Sequence, residues 1–333
     1  MSAEVRCSFC RAATGRFTAE GVAICAACVE AHAATLARAR VGAERAPLYA
    51  ADASALRAAL DVRVVGQPEA QKAVAAALLE HGARLRLGLP GRAPRLLLVG
   101  PRGSGKTTLA RAMAELAAWP SVRVDAGRLG EAGLPSESVE LLLGSLLRAA
   151  DHDPVRAAQG AVLVDGLDPA SFGPERTRAV QRELLRLVDG TTGEAETGAR
   201  ASSSGRVELP TEGVLVVVAV TAARLEDALG LVPAFAARFD RVVSLAPLDA
   251  ESLSRLVERA VAQAGSLLAS GGGLQLAPEA VRWIVQHALA DPDGGWAALR
   301  AVRRLVAEAV DGSRGRWRVS EADLARLYAG GGW

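Results

Sequence analysis

The run Arg95-Leu-Leu-Leu-Val-Gly100 leads straight into Pro101, Arg102, Gly103, Ser104, Gly105, Lys106, Thr107 and Thr108. A strongly apolar strand, a glycine-rich loop and the start of a helix therefore follow one another without a spacer. Gly100, Gly105, Lys106 and Thr107 fit the G-x-x-x-x-G-K-[ST] pattern in the strand-then-helix setting it requires. This spacing predicts an α/β fold, a parallel sheet flanked by helices, with a P-loop at its carboxyl edge. Gly103 and Gly105 let the backbone wrap so that successive N–H groups face phosphates, and the helix that follows adds the positive end of its dipole. Lys106 would reach the outer phosphates of ATP, and the Thr107 hydroxyl would join the shell of a Mg²⁺ ion. Of 39 basic residues only Lys72 and Lys106 are lysine, so a lysine at this position is not background.

A chain of 333 residues, half of them hydrophobic, can bury a large core and divides naturally into two or three domains. The most apolar run, Val214 to Val220, is far short of a membrane span, and the N-terminus has no signal-peptide core, so a cytoplasmic location without membrane association is expected. A net charge of +2, with acids and bases interspersed, leaves no footprint for bulk nucleic-acid binding. All four cysteines fall in the first 28 residues: Cys7-x-x-Cys10, then Cys25-x-x-Cys28. That spacing suits a zinc ribbon, in which two tight knuckles aim four thiolates at one tetrahedral centre. Arg6 and Arg11 favour the thiolate form. With so little apolar material in the segment, Zn²⁺ would supply most of its folding energy. Disulfides are disfavoured in a reducing compartment. His32 lies nearby, but four cysteines already complete a structural site. Such modules bind protein or nucleic acid, and the motif does not say which.

Taken in order, the chain divides into a four-cysteine module (1–33), a linker (34–60), a large nucleotide-binding domain (61–247) and a small helical domain (248–333). Expected strands are Val122 to Asp125, Gly160 to Asp165 and Val214 to Val220; expected helices include Glu69 to Leu87 and Arg176 to Val188. The apolar strand ending in Asp165, about sixty residues after the P-loop, reads as a Walker B strand whose carboxylate holds Mg²⁺ through its water shell. Thr221 ends another strand, where it could sense the outermost phosphate. Gly190 to Arg206 reads as a mobile loop. Beyond Pro247 the strands stop, and helices run Ala250 to Leu268, Pro278 to Ala290, Trp296 to Val310 and onward from Glu321, with Gly271 to Gly273 as a turn. His81 is a packed or surface helix residue, and Trp283 and Trp296 belong to the core of the helical domain.

With these pieces assembled, the chain resembles the ClpX group of AAA+ proteins, hexameric unfoldases that feed the ClpP peptidase. The resemblance rests on the four-cysteine module, on Val64-Val-Gly-Gln67, on the Gly100 to Thr107 loop, on Asp125 with Glu131-Ala-Gly133, and on Gly230 to Arg238. It implies that Val64 and Val65 pack on the adenine and that Arg238 is an arginine finger reaching a neighbouring subunit's nucleotide. A ring follows from that role, as a homo-hexamer or mixed with a paralogue. On the residues alone, Arg238 could instead be a surface arginine beside Asp240.

Departures from the family are as informative. Gly166 stands where the family has the glutamate that polarises the attacking water, and losing a positioned base costs about 10² to 10⁴ in rate. Ala297 replaces the family's sensor arginine, with Arg300 one turn away as a partial substitute. The aromatic pore loop reads Gly133-Leu-Pro-Ser136, and the basic loop at the pore entrance retains only Arg200 and Arg206. Six residues between Ala223 and Gly230 replace the long insertion that docks ClpP, which argues against that docking.

Two readings of the resemblance follow. One is a ring protein that binds zinc and Mg-ATP and holds or remodels a protein partner, with hydrolysis slow or absent. The other is a working unfoldase or chaperone whose missing base is supplied by Asp168 or by a neighbouring subunit. A zinc-ribbon adaptor for nucleic acid is a third, against which the lack of a basic, aromatic-interleaved patch counts.

Overall fold

The structure is a computed structural model, and it describes residues 6–11, 17–19, 22–29, 53–89, 91–117, 119–129, 139–190, 193–196, 206–224, 233–267, 273–311 and 316–329. It separates into two compact units, Met1–Ala50 and Ala51–Trp333. The first holds a two-stranded antiparallel ribbon, β1 (Phe17–Ala19) with β2 (Val22–Ile24). Ser8 fastens the first cysteine knuckle to this ribbon: its N–H donates to Ala23 O at 2.7 Å and its hydroxyl accepts from Ala23 N at 3.1 Å.

The second unit opens with α1 (Ala53–Asp61), in which Leu56 and Leu60 are buried, and α2 (Pro68–Leu87). The last residues assigned from sequence to a linker are thus an integral helix, because leucines four apart give α1 one apolar face to bury. Next come β3 (Arg95–Gly100), α3 (Lys106–Ala117), β4 (Ser121–Asp125), α4 (Val139–Ala149), the single turn α5 (Pro154–Ala157), β5 (Ala161–Leu167) and α6 (Pro169–Val188). An antiparallel pair, β6 (Gly193–Glu196) and β7 (Arg206–Leu209), occupies the two ends of the expected mobile loop. Glycine and serine content had suggested only a loop, yet short strands can pair across such a connection.

β8 (Leu215–Thr221), the turn α7 (Pro233–Ala236) and β9 (Arg241–Ser244) complete the large sheet, whose order is β4-β5-β8-β3-β9 with every pair parallel. β9 has no counterpart in the sequence reading; its four residues at the sheet's edge are too few and too mixed to show a period. All six residues of β3 are buried, as are the first six of β8, which is how a parallel strand covered on both faces reads. Leu97, Val99, Leu143, Val164, Val216 and Val218 share one apolar core. Asp125 is in register with Asp165, and Gly100 with Thr221, so both carboxylates, the P-loop and Thr221 share the sheet's carboxyl edge. Open α/β sheets bind ligands there.

The C-terminal part contains α8 (Ala250–Leu267), β10 (Gly273–Leu276), α9 (Pro278–Ala290), α10 (Gly295–Asp311), β11 (Arg316–Val319) and α11 (Glu321–Tyr328). The expectation that strands stop after Pro247 does not hold: β10 and β11 pair in parallel, and Gly273 begins a strand rather than ending a turn. Leu253, Val257, Ile284, Ala298, Leu305 and Leu324 form a second core. No described helix is long and apolar enough to cross a membrane.

Candidate nucleotide site and cysteine cluster

The P-loop is already shaped for an anion. Gly103 and Gly105 adopt φ of 73° and 97°, left-handed values that L side chains rarely take. Lys106 folds back on the loop, its Nζ donating to Gly100 O and Pro101 O, each at 2.7 Å. Burial pushes its ammonium down to about 8, opposed by Asp165 and Asp168. The Thr107 hydroxyl donates to Asp165 Oδ1 at 3.1 Å, so the two oxygens that could hold Mg²⁺ are side by side. Ser104 is buried at the turn, and Thr108 lines the cavity the loop faces. Arg102 is drawn to one side by an ion pair with Asp168 at 2.8 Å.

That cavity, of about 980 Å³, lies between the sheet's carboxyl edge and the C-terminal helices. Eight of its lining residues are cationic, Lys106, Arg63, Arg111, Arg123 and Arg259 among them, against two acids, Asp125 and Asp165. Such a surface suits a polyanion. Val64 and Val65 line its apolar end together with Leu248, Leu256 and Val302. Sequence reasoning missed Gln67, which braces the loop: its Nε2 donates to Ser104 O at 3.1 Å and to Ala246 O, and its Oε1 accepts from Ala246 N at 3.2 Å. The cue was available, since Gln67 closes the Val64-Val-Gly-Gln segment. The P-loop also meets the helical domain backbone to backbone. A Cβ on Gly103 would fall 1.9 Å from Asp293 O, and one on Gly295 would fall 2.6 Å from Gly103 O.

Trp296 corrects the reading that both tryptophans are core. It is 43% exposed, lines the cavity, and carries the Arg303 guanidinium 5.7 Å from its ring centre. It occupies the exposed side of α10, while Ala297, Ala298 and Ala301 fill the buried side. Trp283 does pack with the core, stacking on His287 at 3.7 Å.

Asp165 accepts from the Gly166 N–H at 3.0 Å as well as from Thr107, and Arg123 Nε lies 3.8 Å from its other oxygen. Gly166 has φ of 76° and falls where the β5 to β8 register shifts, between Val164 and Leu167. Thr221 lines the cavity at the end of β8. Asp168 does not line it: it caps α6 by accepting from Ser171 N and Oγ, and with Arg102 these hold its carboxyl below the usual range against the effect of burial. Arg300 is likewise outside the cavity, tied to Asp293 at 2.7 Å and Asp291 at 3.4 Å. Arg238 is half exposed and pairs with Asp189 at 3.3 Å; Asp240, the expected partner, pairs with Arg92 instead. The segments 130–138, 197–205 and 225–232, which contain the pore-loop position, Arg200 and the site of the shortened insertion, lie outside the described residues.

In the first unit, Cys7, Cys10, Cys25 and Cys28 bring their four sulfurs within 4.8 Å of one another. A tetrahedral Zn²⁺ with bonds of about 2.3 Å sets its sulfurs about 3.8 Å apart, so the cluster fits that ion. The backbone N–H of Cys10 holds the Cys7 thiol down to about 6, whereas hydrogen bonds from Cys10 and Cys25 push Cys28 up to about 12. Four thiols this close do not all ionise without a cation among them.

A parallel five-stranded sheet with a P-loop and Asp165 at its carboxyl edge fits a P-loop nucleotide-binding protein of the AAA+ class. Residues 96–246 match the family described as "ATPase family associated with various cellular activities (AAA)". Among curated relatives, an "ATP-dependent Clp protease ATP-binding subunit ClpX" of Porphyromonas gingivalis is 37% identical over 145 residues, 40% of this chain and 35% of that protein. "ClpX 3" of Methylococcus capsulatus is 34% identical over 243 residues, 63% of this chain and 56% of its own length. ClpX of Borrelia duttonii is 32% identical over 206 residues, 56% and 48% of the two chains. The chain thus carries an AAA match and is similar, at a distance, to AAA+ proteins of the ClpX type. It spans between about a third and just over half of the length of these relatives.

Proposed function

We propose that this protein binds Mg-ATP in the cavity and zinc at its cysteines, and uses nucleotide state to hold or remodel a protein partner, hydrolysing ATP slowly. The observation that carries the reading is Gly166. It stands in the place of the water-polarising glutamate with a left-handed backbone, beside a P-loop, Thr107 and Asp165 that are otherwise assembled. Mg²⁺, held by Thr107 and Asp165, would neutralise charge on the phosphates. Ala297 in place of the sensor arginine, with Arg300 tied away from the cavity, supports the same conclusion. The relatives are by name ATP-binding subunits of a Clp protease. For this chain, the short stretch after Ala223 favours work without ClpP, and the position of Arg238 favours a ring, of like subunits or mixed with a paralogue, which we place in the cytoplasm. Arg238 then serves the neighbouring subunit's nucleotide. Equilibrium binding of a fluorescent ATP analogue and steady-state phosphate release test the proposal on zinc-loaded protein. Micromolar binding with turnover well under 1 s⁻¹ is expected. Turnover in the range of about 1 to 10³ s⁻¹ typical of enzymes would replace this reading with a working motor.

A further inference from the structure

With Gly166 bare and Asp168 committed to Arg102 and Ser171, the carboxylate next to a side chain at 166 is on the neighbouring strand. Asp125 ends β4 in register with Asp165, lines the same cavity and is exposed to it. A Cβ built on Gly166 would stand 3.3 Å from Asp125 Oδ1. The space where a side chain at 166 would begin is therefore bordered by this carboxylate. Its orientation is fixed, because Oδ1 accepts from Gly127 N at 2.8 Å as the cap of the Ala126–Arg128 turn. The other oxygen has no partner among the described residues.

We infer that Asp125 is the base for this protein's residual ATP hydrolysis, an assignment that rests on the nucleotide-binding reading above. Asp125 takes a proton from the attacking water as the water oxygen bonds to the γ-phosphorus. The bond from that phosphorus to the β–γ bridging oxygen breaks, leaving ADP and inorganic phosphate. The arm is one methylene shorter than glutamate's and starts from the adjacent strand, which accounts for slow turnover.

Asp125→Asn is the informative variant, since an asparagine oxygen still caps Gly127 N while the basic carboxylate is lost. With the zinc-loaded 333-residue chain, kcat is expected to fall about 10²-fold or more. Affinity for ADP–aluminium fluoride, which holds the attacking ligand's place, should drop about tenfold. Affinity for ATPγS and the thermal midpoint should be unchanged. Unaltered kcat, or an equal loss of ATPγS binding, overturns the assignment of Asp125. Wild-type protein that binds ATPγS without any turnover overturns it too, while leaving the nucleotide-gated reading standing. Failure of wild-type protein to bind ATPγS removes both.

Discussion

Lys106 ties a titration to ligand binding. Its ammonium is desolvated against two loop carbonyls and sits at about 8 rather than the usual lysine value. A phosphate ligand needs the charged form, so above pH 8 binding must bring a proton with it. ATP affinity is therefore expected to fall by up to about tenfold per pH unit from 8 upward, measured by fluorescent-nucleotide titration. His81 works through stability instead. It is buried edge-on against Trp119, its Nε2–H donates to Gln159 O at 3.2 Å, and burial pushes it down to about 4. Its folded value is depressed, so the neutral ring contributes stability that is complete above about pH 6.5. That stability is lost as pH falls through the window down to 4, because only the unfolded chain takes up the proton. The loss is on the order of 3 kcal/mol. Denaturant titrations at pH 7 and pH 4.5 should show it, and His81→Gln should flatten it.

At the scale of elements, the decisive contact is the joint between the P-loop and the start of α10. Gly103 and Gly295 meet with no side chain between them, so the C-terminal helices sit directly on the phosphate loop. Gly295 has no left-handed backbone, so alanine there adds a methyl at 2.6 Å from Gly103 O without backbone strain. Gly295→Ala is expected to cost about 1 to 3 kcal/mol in stability by overpacking. ATP affinity should weaken with it, and a melt with and without nucleotide reads both. At the β5 bulge, Gly166 differs in kind: its φ of 76° penalises every L side chain, so Gly166→Glu should lower stability by about 1 kcal/mol or more even as it returns the family's residue.

For the whole molecule, the two compact units predict separable responses. Chelating zinc should unfold the cysteine unit, whose four sulfurs lie within 4.8 Å of one another, and leave nucleotide affinity in the second unit within about twofold. Circular dichroism and nucleotide titration on the same chelated sample check this. Assembly gives the complementary test. Co-assembled with an intact paralogue, Arg238→Ala should lower phosphate release by about 10³ at the site it faces. An unchanged rate would leave Arg238 as a surface partner of Asp189.

The sequence alone determined what depends on local order. An apolar strand, a glycine loop and a helix start follow one another as a P-loop, and the apolar strand ending in Asp165 and the paired C-x-x-C knuckles were each legible as a local motif. Long amphipathic helices were legible for the same reason, since their period is written in neighbouring residues. Only the tertiary structure decided what depends on residues far apart in the chain. It paired β10 with β11 and added β9 at the sheet edge. It turned Trp296 toward the cavity, set Gln67 against Ser104 and locked Asp168 to Arg102. It also brought Asp125 to the space left by Gly166. A polar side chain acquires its role from whichever strand end or loop the fold places beside it, and no spacing in the sequence encodes that neighbour.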